Sequence, residues 1–466
     1  MDDMKSAFAR MHALSRQQPA TPYVVRRRRL VALAAMLREN EQALAEAISA
    51  DFGHRSRHET RLLEVFPSLE GISHALRHLK GWMRPQRRPV SLWFQPGRAE
   101  LRTQPLGVVG IIVPWNYPLY LAVGPLLAAL AAGNRALVKM SEFTPATARL
   151  FAELATRYFD ADELVVIEGD AEVAQAFSRL PFDHLLFTGS TAVGHHVMHA
   201  AAEHLTPVTL ELGGKSPAIL APGYPLAKAI ERILIGKCLN AGQTCIAPDY
   251  VLLPAGSETA FIAAARSFVG ASYPGISVAA DYSTIVNARH FSRLQALLDD
   301  AVAKGASVVP LTDASADADS RRFPPVALLG VNDAMRVMQE EIFGPILPLV
   351  PYSDGDIAAA IAYVNVRPRP LALYVFDNDC DRVDRVLEQT VSGGVTVNDT
   401  ILHIAQDALP FGGVGPSGMG HYHGHDGFLA FSKQKAVFRQ SRLSGISLFN
   451  PPYGKRFAWL SRLLLR

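Results

Sequence analysis

Cysteine is scarce in this chain: Cys238, Cys245 and Cys380 are the three present among 466 residues. They form no CxxC pair and their number is odd, which excludes a disulfide framework and points to a reducing compartment, the cytoplasm. Any of the three is therefore available as a free nucleophile. Net charge is also small, +3, and the arginines are scattered apart from the run Arg26–Arg29. That run reads as a solvated helix face, and without a broad basic surface the chain is not expected to bind nucleic acid. The opening MDDMKSAFARMHALSRQQPA spreads its charges and has no apolar centre, unlike a secretory signal. One long stretch, Leu106–Asn134, lacks any charged residue. Pro114, Pro118 and Pro125 interrupt it, so it does not suit a membrane span. It predicts instead a buried strand (Leu106–Val113), a loop (Pro114–Pro118) and a buried helix ending near Gly133.

What is present is the composition of a globular enzyme, 49% hydrophobic and 19% charged. A chain of this length exceeds what one hydrophobic core supports, roughly 250 to 300 residues, so more than one packed unit is expected. Tyr23–Asp51 and Glu59–Gly81 carry helical periodicity. Arg84–Gln104, with its Pro-Gly signal at Pro96 and Gly97, predicts an exposed β-hairpin. Strand runs VVGIIV, RALVKM, ELVVIE, DHLLFTG and PVTLEL then alternate with helices, one of them Ala192–His204, as in a parallel sheet. A second set follows near PAIL, YVLLP, SVVPL, LALYVF and GGVTVN, with helices at Phe261–Phe268 and Asp356–Val364. The boundary between these two α/β units falls at Gly213–Gly214.

Four local motifs suit one chemistry. Asn240–Cys245 (NAGQTC) is a small, turn-prone segment presenting a thiol, although a lone Cys is more often a buried small hydrophobe. Glu211–Ser216 (ELGGKS) places a carboxylate at the end of an apolar strand, where burial raises its pKa and suits it to act as a general base; the plainer alternative is a capping or surface Glu. Pro114–Pro118 (PWNYP) lies after a buried strand, where α/β sheets place ligands. There Asn116 has the amide to support an oxyanion, or simply to stabilise its own turn. Glu341–Pro345 (EIFGP) offers a carboxylate for ribose hydroxyls and Phe343 for a flat ring.

Taken together, PWNYP, FTGS, ELGGK, GQTC, EIFGP and PFGGVGPSGMG resemble the aldehyde dehydrogenase superfamily, in its order and approximate spacing and over nearly the whole chain. ADFGHRSRHET (Ala50–Thr60) and VND followed by PFGGVG resemble the class 3 branch, and within it the bacterial coniferyl-aldehyde dehydrogenases. The resemblance implies a Rossmann-type NAD(P)-binding domain (1–83 and 106–212), an α/β catalytic domain (213–400), a small β oligomerisation element (84–105 and 430–442) and a C-terminal tail (443–466). It implies Cys245 as nucleophile, Glu211 as general base, and Asn116 with the Cys245 backbone N–H as oxyanion hole. Lys139 and Glu142 would face the adenosine ribose, Gly189, Ser190 and Gly194 the pyrophosphate, and Glu341 and Phe343 the nicotinamide ribose and ring, with Leu212 also binding the cofactor. Tyr117 and Phe411 would shape the substrate pocket. Phe187–Ser190 lacks a GxGxxG pattern, and only its strand-turn-helix setting supports phosphate contact. Met140 departs from the family, where proline commonly follows the lysine. NAD is the expected cofactor with NADP tolerated, no metal is expected, and a homodimer is. Because Glu211 is present, hydrolysis to a free acid is favoured over acyl transfer. The rival readings are an aliphatic medium- or long-chain aldehyde dehydrogenase and a non-catalytic relative.

Two features stand outside that set. His421, His423 and His425 alternate but lack the convergent carboxylates of a metal site and read as a loop near the substrate entrance or an interface. Arg456–Arg466 is basic and apolar at helical spacing, too short to span a membrane, and is expected to dock on its own or a neighbouring subunit rather than on a lipid surface.

Overall fold

The computed structural model describes residues 2–353 and 356–465. Met1, Asp354, Gly355 and Arg466, which fall within the expected domain spans and tail, lie outside the described residues. The architecture is α/β, built on three sheets. The first has six strands in the order Gly418–Met419, Val208–Glu211, His184–Thr188, Val108–Ile112, Arg135–Lys139 and Leu164–Ile167. All its neighbours pair in parallel except Gly418–Met419, which runs antiparallel to Val208–Glu211. The chain leaves Val108–Ile112 toward one side of the sheet and returns to build the other, so the switch point lies between Val108–Ile112 and His184–Thr188. Open sheets bind ligands at such a point, outside the carboxyl ends of the strands.

Burial explains the local choices. Every residue of Val108–Ile112 and of His184–Thr188 is buried, as a sheet covered on both faces requires. The uncharged stretch continues into the helix Tyr120–Ala132, which ends at Gly133 with φ +93°, a left-handed closing residue that glycine adopts without strain. Pro125 sits inside that helix rather than breaking it.

The second sheet has seven strands, in the order Ser307–Pro310, Val326–Leu329, Ile346–Tyr352, Tyr250–Pro254, Pro217–Leu220, Ala372–Phe376 and Gly394–Val397. Val326–Leu329 and Ile346–Tyr352 are absent from the strands read in the sequence. Pro348 and Pro351 argue against a strand in Ile346–Tyr352, yet it pairs in parallel on both sides. The short connection Leu212–Ser216 joins the sheets, so the carboxyl end of the first faces the start of the strands of the second. A third sheet, Gln86–Arg88, Arg98–Pro105 and Ser432–Arg439, is antiparallel and largely exposed, with eight residue pairs between its two long strands. The expected SLWF run caps its hairpin as a 3-10 turn at Leu92–Phe94.

One expectation is overturned. Arg26 and Arg29 are buried, not solvated. Arg26 donates to the carbonyls of Thr21 and Ala131, and Arg29 donates to Asn134 and pairs with Glu163 at 2.9 Å. These guanidiniums satisfy carbonyls around the close of the helix Tyr120–Ala132, a demand invisible in a local charge run. The tail forms the helix Lys455–Leu464, which packs against the turn Ile446–Phe449 and has no buried residue.

Candidate active site

Cys245 lies between the helix Leu226–Cys238 and the strand Tyr250–Pro254, on a turn whose residues Asn240, Ala241 and Gly242 all have positive φ (52°, 51° and 75°). Left-handed backbone costs a non-glycine residue roughly 1–2 kcal/mol, so this turn exists because its surroundings impose it. Gly242 is required twice over, since a Cβ there would lie 2.5 Å from the Gly344 carbonyl oxygen. Three sets of hydrogen bonds impose the shape. The Asn240 backbone N–H donates to Glu59, and its side-chain amide donates to the Asn116 and Gln243 carbonyls at 3.0 and 3.2 Å. Gln243 donates to the carbonyls of Asn240 and Thr284 and accepts from the Val286 N–H. Asn116 donates to the Gln243 carbonyl at 3.1 Å. The Asn116 loop and the thiol turn are thus bonded directly to each other.

Beneath the Asn116 loop lies an ion pair that sequence reading missed. Arg55 and Glu64 meet at 2.8 Å with both side chains fully buried. Arg55 also donates to the Asn116 carbonyl and lies over the rings of Phe52 and Tyr117. Glu64 accepts from the Leu119 and Tyr120 N–H groups, where the loop becomes helix. Glu59, also buried, accepts from Asn240 and from the Ser283 hydroxyl at 2.7 Å. The signal was present in the segment Ala50–Thr60, which holds Arg55 and Glu59. That spacing shows no reason for either residue until two distant loops come to rest on them.

Glu211 ends its strand 3% exposed, and neither carboxylate oxygen has a hydrogen-bond partner. Burial alone pushes its pKa well above the usual carboxylate range. Burial also pushes the Cys245 thiol up, and the neighbouring carboxylates of Glu341 and Glu211 add to it, although Cys245 remains only partly buried. A thiol flanked in this way needs a base to become the thiolate nucleophile. Glu341 is raised to about 8, by burial and then by Asp249. Its carboxylate lies against Gly213, where a Cβ would approach Glu341 Oε2 to 1.9 Å. The Glu341 loop is pinned by Arg293, which donates to the Glu341 and Ile342 carbonyls, and by Asp249, which accepts from the Ile342 N–H and pairs with Lys215. Phe343 takes φ +51° and packs edge-on against Trp115, ring centroids 5.3 Å apart.

The second half of the site is open. Gly189 follows the strand His184–Thr188 and donates to the Glu211 carbonyl, and Ser190 caps the helix Thr191–Ala202 by accepting from the Val193 N–H. Ser190 and Val193 are exposed in this first turn. A Cβ at Gly189 would approach Phe187 to 2.4 Å, and one at Gly194 would approach Leu212 to 2.8 Å. Lys139 is buried and donates to the carbonyls of Met140 and Gly169 at 2.7 Å, with Glu142 exposed beside it. Methionine at position 140 is buried and its carbonyl still anchors the lysine, so that departure leaves the segment ordered.

Tyr117 bonds the Thr244 hydroxyl at 2.6 Å, next to the thiol. Phe411 is buried and stacks between His403 and His423. The glycine-rich Pro410–Gly420 segment supplies the strand Gly418–Met419 on Glu211, and a Cβ at Gly418 would strike the Leu210 carbonyl oxygen at 2.2 Å. The three histidines do not converge: His423 is buried, His421 faces Asp426 at 3.8 Å, and His425 stacks by Trp82 and Phe428. Among the described residues no group of His, Cys, Asp or Glu is placed to hold a metal ion.

The family model described as "Aldehyde dehydrogenase family" matches residues 1–437. A protein of Pseudomonas aeruginosa named "Probable coniferyl aldehyde dehydrogenase" is 55% identical, covering 98% of this chain and 94% of its own. The "Coniferyl aldehyde dehydrogenase" of a Pseudomonas species is 47% identical, covering 100% and 96%. Among solved structures, a substrate-bound Staphylococcus aureus AldH superposes with a TM-score of 0.93 at 38% identity, covering 99% of both chains. The chain therefore belongs to the aldehyde dehydrogenase family.

Proposed function

We propose that this aldehyde dehydrogenase oxidises coniferyl aldehyde to ferulate, with NAD preferred and NADP tolerated. The carrying observation is similarity over nearly the full length to two proteins that bear the coniferyl name. A non-catalytic relative has no reason to keep a thiol, the buried Glu211 carboxyl, the half-buried Glu341 carboxyl and an amide around one spot.

The dinucleotide would lie over the switch point of the six-stranded sheet. Gly189, Ser190 and Gly194 would hold the pyrophosphate, Lys139 and Glu142 the adenosine ribose, and Glu341 and Phe343 the nicotinamide end, with Leu212 also against the cofactor. The fit rests on backbone left bare by glycine at 189, 194 and 213, and on the unpartnered Glu341 Oε1. When bound, the cofactor supplies the hydride acceptor. Cys245 attacks the aldehyde carbon, giving a thiohemiacetal whose oxyanion is held by the Asn116 amide and the Cys245 backbone N–H. Loss of hydride leaves a thioester on sulfur. Glu211 takes a proton from water, which adds to the thioester carbonyl and releases the acid and the thiol. Tyr117 and Phe411 wall the substrate side.

In this reading residues 1–83 and 106–212, with the added strand Gly418–Met419, form the cofactor domain and 213–400 the catalytic domain. The elements 84–105 and 430–442 form the surface of a homodimer, supported by the exposed edges of the small sheet and by exposed Trp93 and Phe438. The tail 443–466 would dock on its own or a neighbouring subunit. The cytoplasm is the proposed location, in keeping with three unpaired cysteines. No helix among the described residues is long and apolar enough to cross a membrane.

Purified protein offered coniferaldehyde, benzaldehyde, hexanal and decanal with NAD or NADP tests the assignment. The highest specificity constant is expected for coniferaldehyde with NAD. A winning aliphatic aldehyde overturns the substrate, and a higher constant with NADP overturns the cofactor preference.

A further inference from the structure

Both carboxylate oxygens of Glu211 and the hydroxyl of Tyr422 are buried without a hydrogen-bond partner. Tyr422 is 1% exposed. An unbonded hydroxyl at such a depth costs stability, and a phenylalanine would fill the same space without that cost. Tyr282, Tyr352 and Tyr374, also buried, spend their hydroxyls on the fold: they donate to the carbonyls of Phe323, Leu220 and Ile246. The Tyr422 hydroxyl serves no such contact.

The chain brings that hydroxyl to the catalytic carboxylate by a short path. Gly418 pairs with Glu211 across the edge of the six-stranded sheet. Just beyond, Tyr422 and Phe411 exchange both backbone hydrogen bonds, at 2.8 and 2.9 Å. The Tyr422 ring then meets Phe411 and His423 edge-on and closes on Gly124, where a Cβ would lie 3.3 Å from its Cε2. A ring held on several sides presents its hydroxyl at one place. Burial, and then Glu211, Tyr120 and Cys245, oppose ionisation of the phenol, so it stays protonated and donates. Glu211 thus acts on Tyr422 through its charge, yet the two are not bonded to each other. The adjacent His423 brings no competing charge: burial lowers its pKa to about 4, its Nε2 faces the Tyr120 hydroxyl at 3.4 Å, and its Nδ1 has no partner. A water touching both groups accepts from the phenol and donates to the carboxylate, which leaves one lone pair for an acyl carbon on Cys245.

We propose that Tyr422 is a positioning residue for the hydrolytic half of the reaction: its hydroxyl donates to the water that Glu211 deprotonates and holds that water against the thioester carbon. One proton of the water passes to Glu211 and its oxygen bonds to the acyl carbon. The carbon–sulfur bond then breaks with its electron pair on sulfur, Glu211 returns the proton to sulfur, and the acid is released. The proposal rests on the reading of Glu211 as general base and gives that base a partner. It leaves the attack of Cys245 and the loss of hydride to the residues already assigned.

The test follows the two half-reactions separately in wild type, Tyr422→Phe, Glu211→Gln and the double variant, with NAD and whichever of the four aldehydes above wild type turns over fastest. Stopped-flow absorbance gives the rate of the first NADH formed, and quenched samples read by intact-protein mass spectrometry give the decay of the thioester. Tyr422→Phe should form its first NADH at the wild-type rate and lose its thioester about tenfold to a hundredfold more slowly, the scale of effect that misplacing a reactant has. The double variant should be no slower than Glu211→Gln, since both changes act on one water. The melting temperature of Tyr422→Phe should equal or exceed that of wild type. Thioester decay at the wild-type rate, a slowed first turnover with unchanged decay, or losses that multiply in the double variant each overturn the proposal. So does a lowered melting temperature, because the hydroxyl would then serve the fold. If Glu211→Gln itself leaves thioester decay unchanged, the reading of Glu211 as base falls; if Glu211→Gln slows it and Tyr422→Phe does not, this inference falls alone.

Discussion

The turn that presents Cys245 and the turn that opens the helix Thr191–Ala202 are both glycine-containing and both border the same site, yet they are built in opposite ways. The first is buried and left-handed at three successive residues, and buried side chains grip it: its own Gln243 and, from remote segments, Glu59, Asn116 and, one step behind, Arg55 with Glu64. The second is exposed, capped by its own Ser190, and tied to the body through a backbone bond to the Glu211 strand. The difference fits the roles proposed for each. A nucleophile has to be held to within a fraction of an ångström of its carbonyl before substrate arrives. A surface that a large ligand covers gains order from the ligand and can stay open.

Removing groups from either turn separates the two designs. The largest effect belongs to Cys245→Ala, which should lower kcat by at least about 10⁴-fold, as loss of a nucleophile does, while leaving the thermal midpoint near that of wild type. NADH formation and calorimetry read the two sides. Glu211→Gln comes next, with a loss of about 10² to 10⁴-fold expected for a general base and a thioester adduct accumulating by intact-protein mass spectrometry. The pH profile gives its sign. Because burial raises the pKa of Glu211, the proton-accepting form grows as pH rises through that raised value. Wild-type kcat should therefore climb toward alkaline pH, and the Gln variant should lose that limb; a limb that persists in the variant removes Glu211 from the role.

Arg55→Met tests the buried grip. It strands Glu64 without its partner at full burial, which typically costs about 3–5 kcal/mol, and frees the Asn116 carbonyl and loop. A marked fall in melting temperature with a loss of kcat is expected, and Arg55→Met with Glu64→Gln should recover part of the stability. Equal stability in wild type and the single variant would show that the pair holds nothing. The smallest effect is predicted for Ser190→Ala, which removes one cap worth about 1 kcal/mol and should raise KM for the dinucleotide while kcat at saturation changes little. If it destabilised the protein as much as Arg55→Met, the contrast between the two turns would collapse.

Much of this was open to reading because it is local. The uncharged run after Leu106 announces a covered strand and helix, and Gly133 its end. Glu211 at an apolar strand end was expected to carry a raised pKa, and burial is what raises it. The failures share a cause. Ile346–Tyr352 contains Pro348 and Pro351, and no local rule keeps such a segment in a sheet; neighbours on both sides do. Arg26 and Arg29 look solvated in a run of four and are buried because the close of the helix Tyr120–Ala132 and the carboxylate of Glu163 come to meet them. No strand was read in Pro410–Gly420, yet its Gly418–Met419 pairs with the strand that ends at Glu211.

What the sequence determined by itself is the chemistry: a thiol, a strand-end carboxylate and a loop amide, in segments whose turn residues and apolar flanks dictate their own local shapes. Which of these meet was decided by the tertiary structure, since Asn116, Glu211, Cys245 and Glu341 lie on segments far apart in the chain. So was the state of each group. Raised carboxyls, a left-handed turn and a histidine nitrogen with no partner all depend on how much water packing leaves behind, and that is a property of the assembled interior rather than of any segment.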